Sequence, residues 1–333
     1  MSNASHVFIV GTSRSGTSLL RNTLNASEEL AITGETHFLG GVSSIRCLYE
    51  YYSAQGVSQP LSSEFAKTTR SSHSGLRDRI RRKGNLADHD TSLAVADLIY
   101  ARSDGFWENR KNFVEREKLV SGLQMANQSD SAVFDLLMSL YAGDKCIRGE
   151  KTPGHVFHVP TLLSWFPEAR FIHIIRDLRA VYVSQQKKKM KQKGEKITRR
   201  HQFVRKNKRL HEYYVMANIS AHWIRVMQLD GLYRERYSDR YLSLKYEDFV
   251  KDPESSLSGI CTFAGIDYSP NMLRQVFVNS SLVGRHWDKH NPVSVSSGID
   301  PSAAVRWKEH LADVDDRFLK VLGKSYLRKL GYI

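Results

Sequence analysis

Residues 7–24, which read VFIVGTSRSGTSLLRNTL, decide the fold. The run Val7–Val10 is short, apolar and mostly β-branched, which is typical of a buried strand. The run ends at Gly11. The segment from Thr17 to Leu24 follows, and the spacing of its leucines at 19, 20 and 24 predicts a helix. A strand, a glycine-containing turn and a helix in this order predict the first βα unit of an α/β protein.

Four more apolar runs predict further strands, and helical segments separate them. The predicted strands cover residues 30–33, 145–148, 171–175 and 241–245. Residues 246–265 and 301–330 have helical patterns. Strands that alternate with helices indicate a mostly parallel sheet with helices on both faces. We therefore predict a three-layer α/β fold in a single domain over residues 5–333, with a mainly helical insertion at about 41–145.

The composition is that of a globular protein in a reducing compartment. Of the 333 residues, 41% are hydrophobic and 25% charged, which excludes a wholly disordered or fibrous protein. The three cysteines, Cys47, Cys146 and Cys261, are widely spaced and can form neither a disulfide framework nor a four-cysteine zinc site. No apolar run approaches the roughly 20 residues of a membrane-spanning helix, and no secretion signal opens the chain. We expect a cytoplasmic location.

The positive charge is concentrated in one segment, residues 187–210. This segment holds twelve Lys and Arg residues against one acid, Glu195, while the formal net charge of the whole chain is +14. A solvated helix face and a surface for an anionic substrate are both consistent with such a segment. Nucleic acid is a weaker interpretation, because only one aromatic residue, Phe203, lies among the basic residues.

The turn between the first strand and the first helix has the pattern of a phosphate-binding loop. Residues 11–18 read GTSRSGTS, which is GxxxxG followed by Thr-Ser. The pattern nearly matches the nucleotide P-loop, but Thr17 stands at the lysine position. Backbone N–H groups at the helix start, the hydroxyls of Thr17 and Ser18 and the guanidinium of Arg14 can all bind an anion. Without the lysine, a monophosphate or phosphosulfate fits better than a nucleoside triphosphate.

A second anion site is predicted at the end of the strand 171–175. Arg176 follows this strand directly, and Ser184 lies eight residues further on. Parallel α/β sheets bind ligands at the carboxyl ends of their strands. Ser184 can meet Arg176 at one phosphate if the intervening helix folds back over the strand end. Asp177 is suited to cap that helix.

Taken together, the loop and the Arg–Ser pair resemble the sulfotransferases that use 3′-phosphoadenosine 5′-phosphosulfate (PAPS). The resemblance implies a P-loop-like fold and PAPS as donor. It implies that the 5′-phosphosulfate is held by Arg14, Ser15, Gly16, Thr17 and Ser18, and the 3′-phosphate by Arg176 and Ser184. Family-like stretches also occur at 34–38, 150–153, 244–248 and 306–307, and they are closer to the carbohydrate, protein and bacterial branches than to the small-phenol branch. Arg14 stands where many relatives have Lys, and Ser296-Ser297-Gly298 only loosely matches the glycine-rich loop near the C-terminus.

Sulfuryl transfer needs a general base for the acceptor and a cation for the leaving oxygen. Glu35 follows the second predicted strand and should lie near the phosphate loop, and the resemblance implies a catalytic Glu in such a position. His37 is the rival base, since other branches use His. Arg14, with the phosphate loop, is a candidate to stabilise the charge on the leaving oxygen. Lys151 is a candidate to bridge the leaving oxygen or to orient the acceptor; the alternatives are a surface lysine before a proline turn or an ion pair with Glu150. No metal is implied, and the chain has no HExxH pattern or His/Cys cluster; His155 and His158, on a predicted helix, lack a third ligand.

Two other functional classes remain open on the sequence. A P-loop kinase or NTPase would explain the loop, although Thr17 replaces the lysine and no acidic magnesium ligand is evident. A non-catalytic binder of polyanions or nucleic acid would use the basic segment 187–210, and its affinity would fall steeply with salt. The acceptor, the atom that is sulfated and the oligomeric state are not determined by the sequence.

Overall fold

The computed structural model describes residues 6–41, 75–101, 115–126, 128–191, 208–274 and 299–333. Five strands and twelve α-helices lie in these ranges, together with three 3₁₀ turns at Pro153–His158, Pro301–Ala304 and Arg306–His310. In chain order the elements are β1 (His6–Gly11), α1 (Thr17–Leu24), β2 (Leu30–Thr33), α2 (Leu76–Arg81), α3 (His89–Tyr100), α4 (Arg116–Met125), α5 (Asp130–Ala142), β3 (Ile147–Lys151), α6 (Val159–Trp165), β4 (Arg170–Ile175), α7 (Leu178–Lys191), α8 (Lys208–Arg236), β5 (Tyr241–Lys245), α9 (Tyr246–Lys251), α10 (Pro253–Ala264), α11 (Asn271–Arg274) and α12 (Asp313–Lys329).

The strands form one parallel sheet in the order β2-β3-β1-β4-β5. Because all neighbours are parallel, the carboxyl ends of the five strands share one edge. Residues that follow β2, β3, β1 and β4 are therefore brought together at this edge. These are the regions in which the sequence predicts its site residues.

The sheet is covered on both faces, as predicted. One face packs Phe8 and Phe171 against Trp223 of α8, and the other packs Ile9 and Ile172 beneath α1, α9 and α10. β1, β2 and β4 are apolar in nearly every position because neither face is exposed to water. The predicted three-layer α/β fold is confirmed.

The third strand begins and ends later than predicted. The sequence placed it at 145–148, but β3 runs from Ile147 to Lys151. Gly149 belongs to the strand because β1 lies very close to it: a Cβ at this position would be 1.8 Å from the carbonyl oxygen of Val7. The later end of β3 is important for the site, because it carries Lys151 to the carboxyl edge of the sheet.

Other segments follow the predictions with local differences. The predicted helix at 246–265 is two helices, α9 and α10, since Pro253 cannot continue α9 and instead begins α10, with Asp252 as its cap. His155 and His158 lie on a 3₁₀ turn rather than on an α-helix. Within the predicted insertion at 41–145, the described residues form α2 to α5. Among the described ranges, every helix is too short or too polar to cross a membrane.

Candidate active site

The phosphate loop lies between β1 and α1 and is shaped by three residues with positive φ. Gly11 has φ 143°, Arg14 has φ 75° and Gly16 has φ 101°. Gly16 is the N-cap of α1 and has no side chain to bond the first N–H groups of the helix. A Cβ at Gly16 would also lie 2.3 Å from Cδ2 of Tyr246, so the loop can pack closely only with glycine here. The helix start thus keeps backbone donors available for an anion.

Several buried polar atoms around this loop lack a hydrogen-bond partner among the described residues. The hydroxyls of Thr12 and Ser15 belong to residues only 1% exposed, and neither has a hydrogen-bond partner among the described residues. The same is true of Nε of Arg176. Buried polar atoms normally have a partner, so these three atoms fit a ligand with phosphate or sulfate oxygens. Thr17 is buried as the first residue of α1, and Ser18 follows it half-buried.

Arg14 joins the two predicted anion sites. Its Nε donates to the hydroxyl of Ser184 at 3.1 Å, and its carbonyl oxygen accepts from Arg176 at 3.2 Å. Burial lowers the pKa of Arg14 and the nearby Arg176 lowers it further, while Glu35 acts in the opposite direction. Arg14 therefore contacts both Arg176 and Ser184. Two guanidinium groups this close form a strongly electropositive site.

Arg176 is held in place from several sides. Its guanidinium lies over the ring of Tyr246 at 4.2 Å and donates to the carbonyl oxygen of Ala303 at 3.1 Å. Its own carbonyl oxygen accepts from the indole of Trp223 at 2.9 Å. Asp177 accepts from the backbone N–H of Arg179 at 2.9 Å, which agrees with the predicted capping role. These contacts fix the guanidinium beside the phosphate loop.

Glu35, His37 and Lys151 meet at the carboxyl ends of β2 and β3. Nζ of Lys151 donates to Oε1 of Glu35 at 2.6 Å, and Nε2 of His37 lies 3.3 Å from Oε2. The side chain of Lys151 is 4% exposed, while those of Glu35 and His37 are 36% and 49% exposed. Lys151 pairs with Glu35 and not with Glu150, because adjacent residues of a strand point to opposite faces. The proposed base thus faces solvent, and its cation is buried behind it.

The electrostatics of this trio keep Glu35 ionised. Burial alone would raise the pKa of Glu35, but Lys151 and His37 outweigh this effect and hold the pKa well below its usual 4.5. Burial lowers the pKa of Lys151 from its usual 10.5, which the Glu35 carboxylate only partly offsets. A carboxylate beside a buried ammonium can accept a proton, and the ammonium can stabilise a developing negative charge.

Sequence reasoning missed the roles of Glu150, His155 and Tyr246. Glu150 and His155 are fully buried and lie directly beneath the Glu35 segment, with Nδ1 of His155 3.0 Å from Oε2 of Glu150. Tyr246 supports both Gly16 and Arg176. Strand alternation separates Glu150 from Lys151 only once β3 is known to extend to Lys151, and the position of Tyr246 depends on the strand order.

Some predictions lie outside the described residues. Ser296-Ser297-Gly298 is one of them, and so is most of the basic segment, of which the structure describes the backbone at 187–191 and 208–210. Within the described ranges, no three His, Cys, Asp or Glu side chains are grouped as they would be around a metal ion.

Comparison with known proteins places the chain among enzymes of one family. It is 24% identical over 187 residues to the omega-hydroxy-beta-dihydromenaquinone-9 sulfotransferase of Mycobacterium bovis, which covers 43% of this chain and 42% of that protein. It is 25% identical over 138 residues to carbohydrate sulfotransferase 4 of Mus musculus, covering 41% of this chain and 35% of the relative. The matches therefore span less than half the length of these relatives.

The fold is similar to that of a solved sulfotransferase domain. The sulfotransferase domain of the Synechococcus PCC 7002 olefin synthase superposes with a TM-score of 0.52 at 18% identity, covering 98% of this chain and 96% of that domain. At this identity the match concerns the fold alone. The profile of the Sulfotransferase family matches residues 6–270, which include both predicted anion sites and the Glu35–Lys151 pair. The chain belongs to the sulfotransferase family.

Proposed function

We propose that the protein transfers a sulfuryl group from PAPS to a hydroxyl or amine of an acceptor, with Glu35 as general base. The observation that carries this proposal is the 2.6 Å contact between Glu35 and Lys151. It lies at the carboxyl edge of the sheet, the edge at which the phosphate loop follows β1. Family membership supports sulfuryl transfer. The hydroxyl acceptor is supported by the names of two relatives, which act on an omega-hydroxy menaquinone and on carbohydrate.

Two groups of residues fit the two phosphate-bearing ends of the donor. The backbone of residues 14–18, with the orphaned hydroxyl of Ser15, fits the 5′-phosphosulfate. Arg176 and Ser184 fit the 3′-phosphate, and Arg14 lies between the two groups. When bound, PAPS supplies a sulfuryl group whose bond to a phosphate oxygen is exchanged for a bond to the acceptor oxygen or nitrogen.

Each member of the trio then has a separate task. Glu35, ionised and partly exposed, accepts the proton of the acceptor hydroxyl. Lys151 donates to the phosphate oxygen on which negative charge develops. His37, 3.3 Å from Glu35, helps to hold the carboxylate and is the rival base.

The first test is the binding of adenosine 3′,5′-bisphosphate, compared with AMP and magnesium-ATP by titration calorimetry. We expect the bisphosphate to bind much more tightly than AMP, because only the bisphosphate fills both anion sites. Arg14→Ala and Arg176→Ala should each weaken binding about 10- to 100-fold, since a hydrogen bond to a charged group contributes about 1.5–3 kcal/mol. Arg240→Ala is the matched control, because Arg240 precedes β5 at the opposite edge of the sheet.

The second test is transfer itself, with PAPS and a panel of acceptors followed by mass spectrometry. The panel contains an oligosaccharide, an acidic tyrosine peptide, a simple phenol and a hydroxylated isoprenoid quinone. Gain of one sulfuryl group, lost in Arg14→Ala and retained in Arg240→Ala, would support the proposal. A preference for magnesium-ATP with ATP consumption would instead indicate a kinase. Salt-sensitive binding of polyanions that is unaffected by Arg14→Ala would indicate a non-catalytic binder.

A further inference from the structure

Glu150 has a buried carboxylate without an assigned role in the reaction. The residue is 0% exposed and lies one position before Lys151 on β3. Burying a carboxylate is costly unless several donors compensate the lost water. Here, burial would raise the pKa of Glu150, but His155, Thr152 and Thr36 reverse this effect and hold the pKa below its usual value. The residue is therefore a buried anion whose Oε1 accepts three hydrogen bonds and whose Oε2 lies 3.0 Å from Nδ1 of His155.

These donors come from the segment that carries the proposed base. Oε1 of Glu150 accepts from the backbone N–H of Thr36 at 3.0 Å and from its hydroxyl at 3.0 Å. The hydroxyl of Thr152 also donates to Oε1. Thr36 is the residue between Glu35 and His37, so the Glu150 carboxylate is hydrogen-bonded to the backbone between these two residues of the trio.

The same network holds four consecutive backbone N–H groups. After Thr36, the N–H of His37 donates to the Thr152 hydroxyl at 3.3 Å, and the N–H of Phe38 donates to the Thr36 hydroxyl at 3.1 Å. The N–H of Leu39 donates to Nε2 of His155 at 3.4 Å. Both hydroxyls that accept in this way also donate to Glu150, so the carboxylate fixes the direction of each hydrogen bond.

The carbonyl groups of this segment are hydrogen-bonded as well, so the backbone conformation of residues 36–39 is restricted. The N–H of Leu76 donates to the carbonyl oxygen of His37 at 3.0 Å, and that of Arg77 donates to Phe38 at 3.0 Å. His37 itself has φ 49°, an uncommon conformation for a non-glycine residue. A backbone in such a conformation persists only where its surroundings determine it.

We propose that Glu150 is a positioning residue for catalysis: through Thr36 it sets the segment 36–39, and thereby the approach of Glu35 to Lys151. This inference rests on the proposed function of Glu35 as base. Glu150 and Lys151 are neighbours on one strand, so the anchor and the cation move as a unit. Thr36, the residue after Glu35, is hydrogen-bonded to Glu150, the residue before Lys151. This bond places Glu35 at 2.6 Å from Lys151.

Two isosteric variants distinguish the effect of the hydrogen bond between Thr36 and Glu150 from the effect of the negative charge of Glu150. Glu150→Gln keeps an oxygen for Thr36 but replaces the oxygen beside His155 by an NH₂ group. Because Nε2 of His155 accepts from Leu39, the ring proton lies on Nδ1, and the new NH₂ group faces another donor. Thr36→Val keeps the buried charge and the backbone bond but removes the hydroxyl that links Glu150 to Phe38. Thr23→Val is the matched control, since the buried Thr23 hydroxyl donates to Leu19 within α1, away from the trio.

The first measurement needs no acceptor: the pKa of the Glu35 carboxyl, followed by NMR with carbon-13-labelled glutamate and assigned with Glu35→Gln. We expect both variants to move this pKa upward, toward its usual value, and Thr23→Val to leave it unchanged. The second measurement is transfer, where both variants should lower kcat by about 10²-fold, the effect of a displacement near 1 Å. Affinity for adenosine 3′,5′-bisphosphate should change less than twofold, because the phosphate loop is not touched.

The outcomes are distinguishable from failure of the proposed function. If both variants shift the Glu35 pKa but the wild-type protein transfers no sulfuryl group, the positioning by Glu150 is supported and the proposed function is refuted. A shift in Glu150→Gln without one in Thr36→Val would show that the charge acts directly, which overturns the inference. Unchanged pKa and kcat in both folded variants would overturn it too. If Glu150→Gln does not fold, Thr36→Val alone decides between these results.

Discussion

Glu35→Gln and His37→Gln, measured as a function of pH, identify the general base. Glu35→Gln keeps the shape of the side chain but removes its ability to accept a proton, so we expect a loss of about 10²–10⁴-fold in kcat. His37→Gln leaves the 2.6 Å contact between Glu35 and Lys151 in place and should cost less than about tenfold. Both variants should retain the affinity for adenosine 3′,5′-bisphosphate.

The size of the pH effect follows from the lowered pKa of Glu35. A carboxylate with a pKa at or below 4.5 is at least about 90% ionised at pH 5.5. An imidazole of ordinary pKa, about 6.5, is only about 10% neutral there. Lowering the pH from about 7.5 to about 5.5 should therefore reduce the rate less than about twofold with Glu35 as base, and about tenfold with an imidazole base.

The assay must separate this effect from donor binding, because a phosphate group itself titrates near pH 6. Rates are therefore compared as kcat/KM for the acceptor at saturating PAPS, with bisphosphate affinity measured at each pH. A tenfold acid loss in the wild type, together with Glu35→Gln activity close to wild type, would refute Glu35 and identify His37. Glu168→Gln, a substitution before β4 at the opposite sheet edge, controls for the loss of a carboxylate as such.

Three further outcomes are expected. Gly16→Ala places a Cβ 2.3 Å from Tyr246 at φ 101°, so urea unfolding should show a loss of at least about 2 kcal/mol and calorimetry a loss of bisphosphate binding; wild-type stability would contradict this. Because the pKa of Lys151 is lowered, its proton is lost at a lower pH than from an ordinary lysine, so kcat should fall before the pH reaches the usual lysine pKa of 10.5, and an activity that is flat up to that pH would exclude Lys151 as donor. Tyr332→Phe removes the 2.8 Å hydrogen bond to Glu247 and should cost about 1 kcal/mol in urea unfolding with bisphosphate affinity retained, whereas unchanged stability would show that water replaces the bond.

Local sequence patterns were sufficient for the first βα unit. The predicted helix from Thr17 to Leu24 has the bounds observed, because a glycine turn before it and apolar spacing within it agree. The same holds for β2 and β5, whose predicted bounds are those observed. β3 was misplaced because Gly149 has a tertiary reason to be in a strand, the close approach of Val7, and no local pattern reveals such a contact.

The site was predictable in its residue types but not in its connections. The sequence singled out Arg14, Arg176 and Ser184, yet the bridge from Arg14 to Ser184 joins residues 170 positions apart. It also named Glu150 as the alternative partner of Lys151, because the predicted strand ended at 148 and strand alternation could be applied to these residues only once β3 was known to reach Lys151. The sequence analysis noted Glu150 only as part of a family-like stretch. Its hydrogen bonds to Thr36 could not be predicted, because Thr36 lies 114 positions earlier in the chain.

The contact between Glu35 and Lys151 resolves a difficulty that each residue would have alone. Lys151 is buried at 4% exposure with the Arg21 guanidinium nearby, and burial without an anion would favour its neutral form. Glu35 supplies that anion and is in turn kept ionised, so both groups are held in the protonation states that the proposed reaction needs. An anionic ligand beside Lys151 would share its hydrogen bonds and weaken its hold on Glu35, which would make the carboxylate a stronger base when donor and acceptor are both present. The hydrogen bonds that anchor residues 36–39 would keep Glu35 in place when its strongest partner is shared with such a ligand.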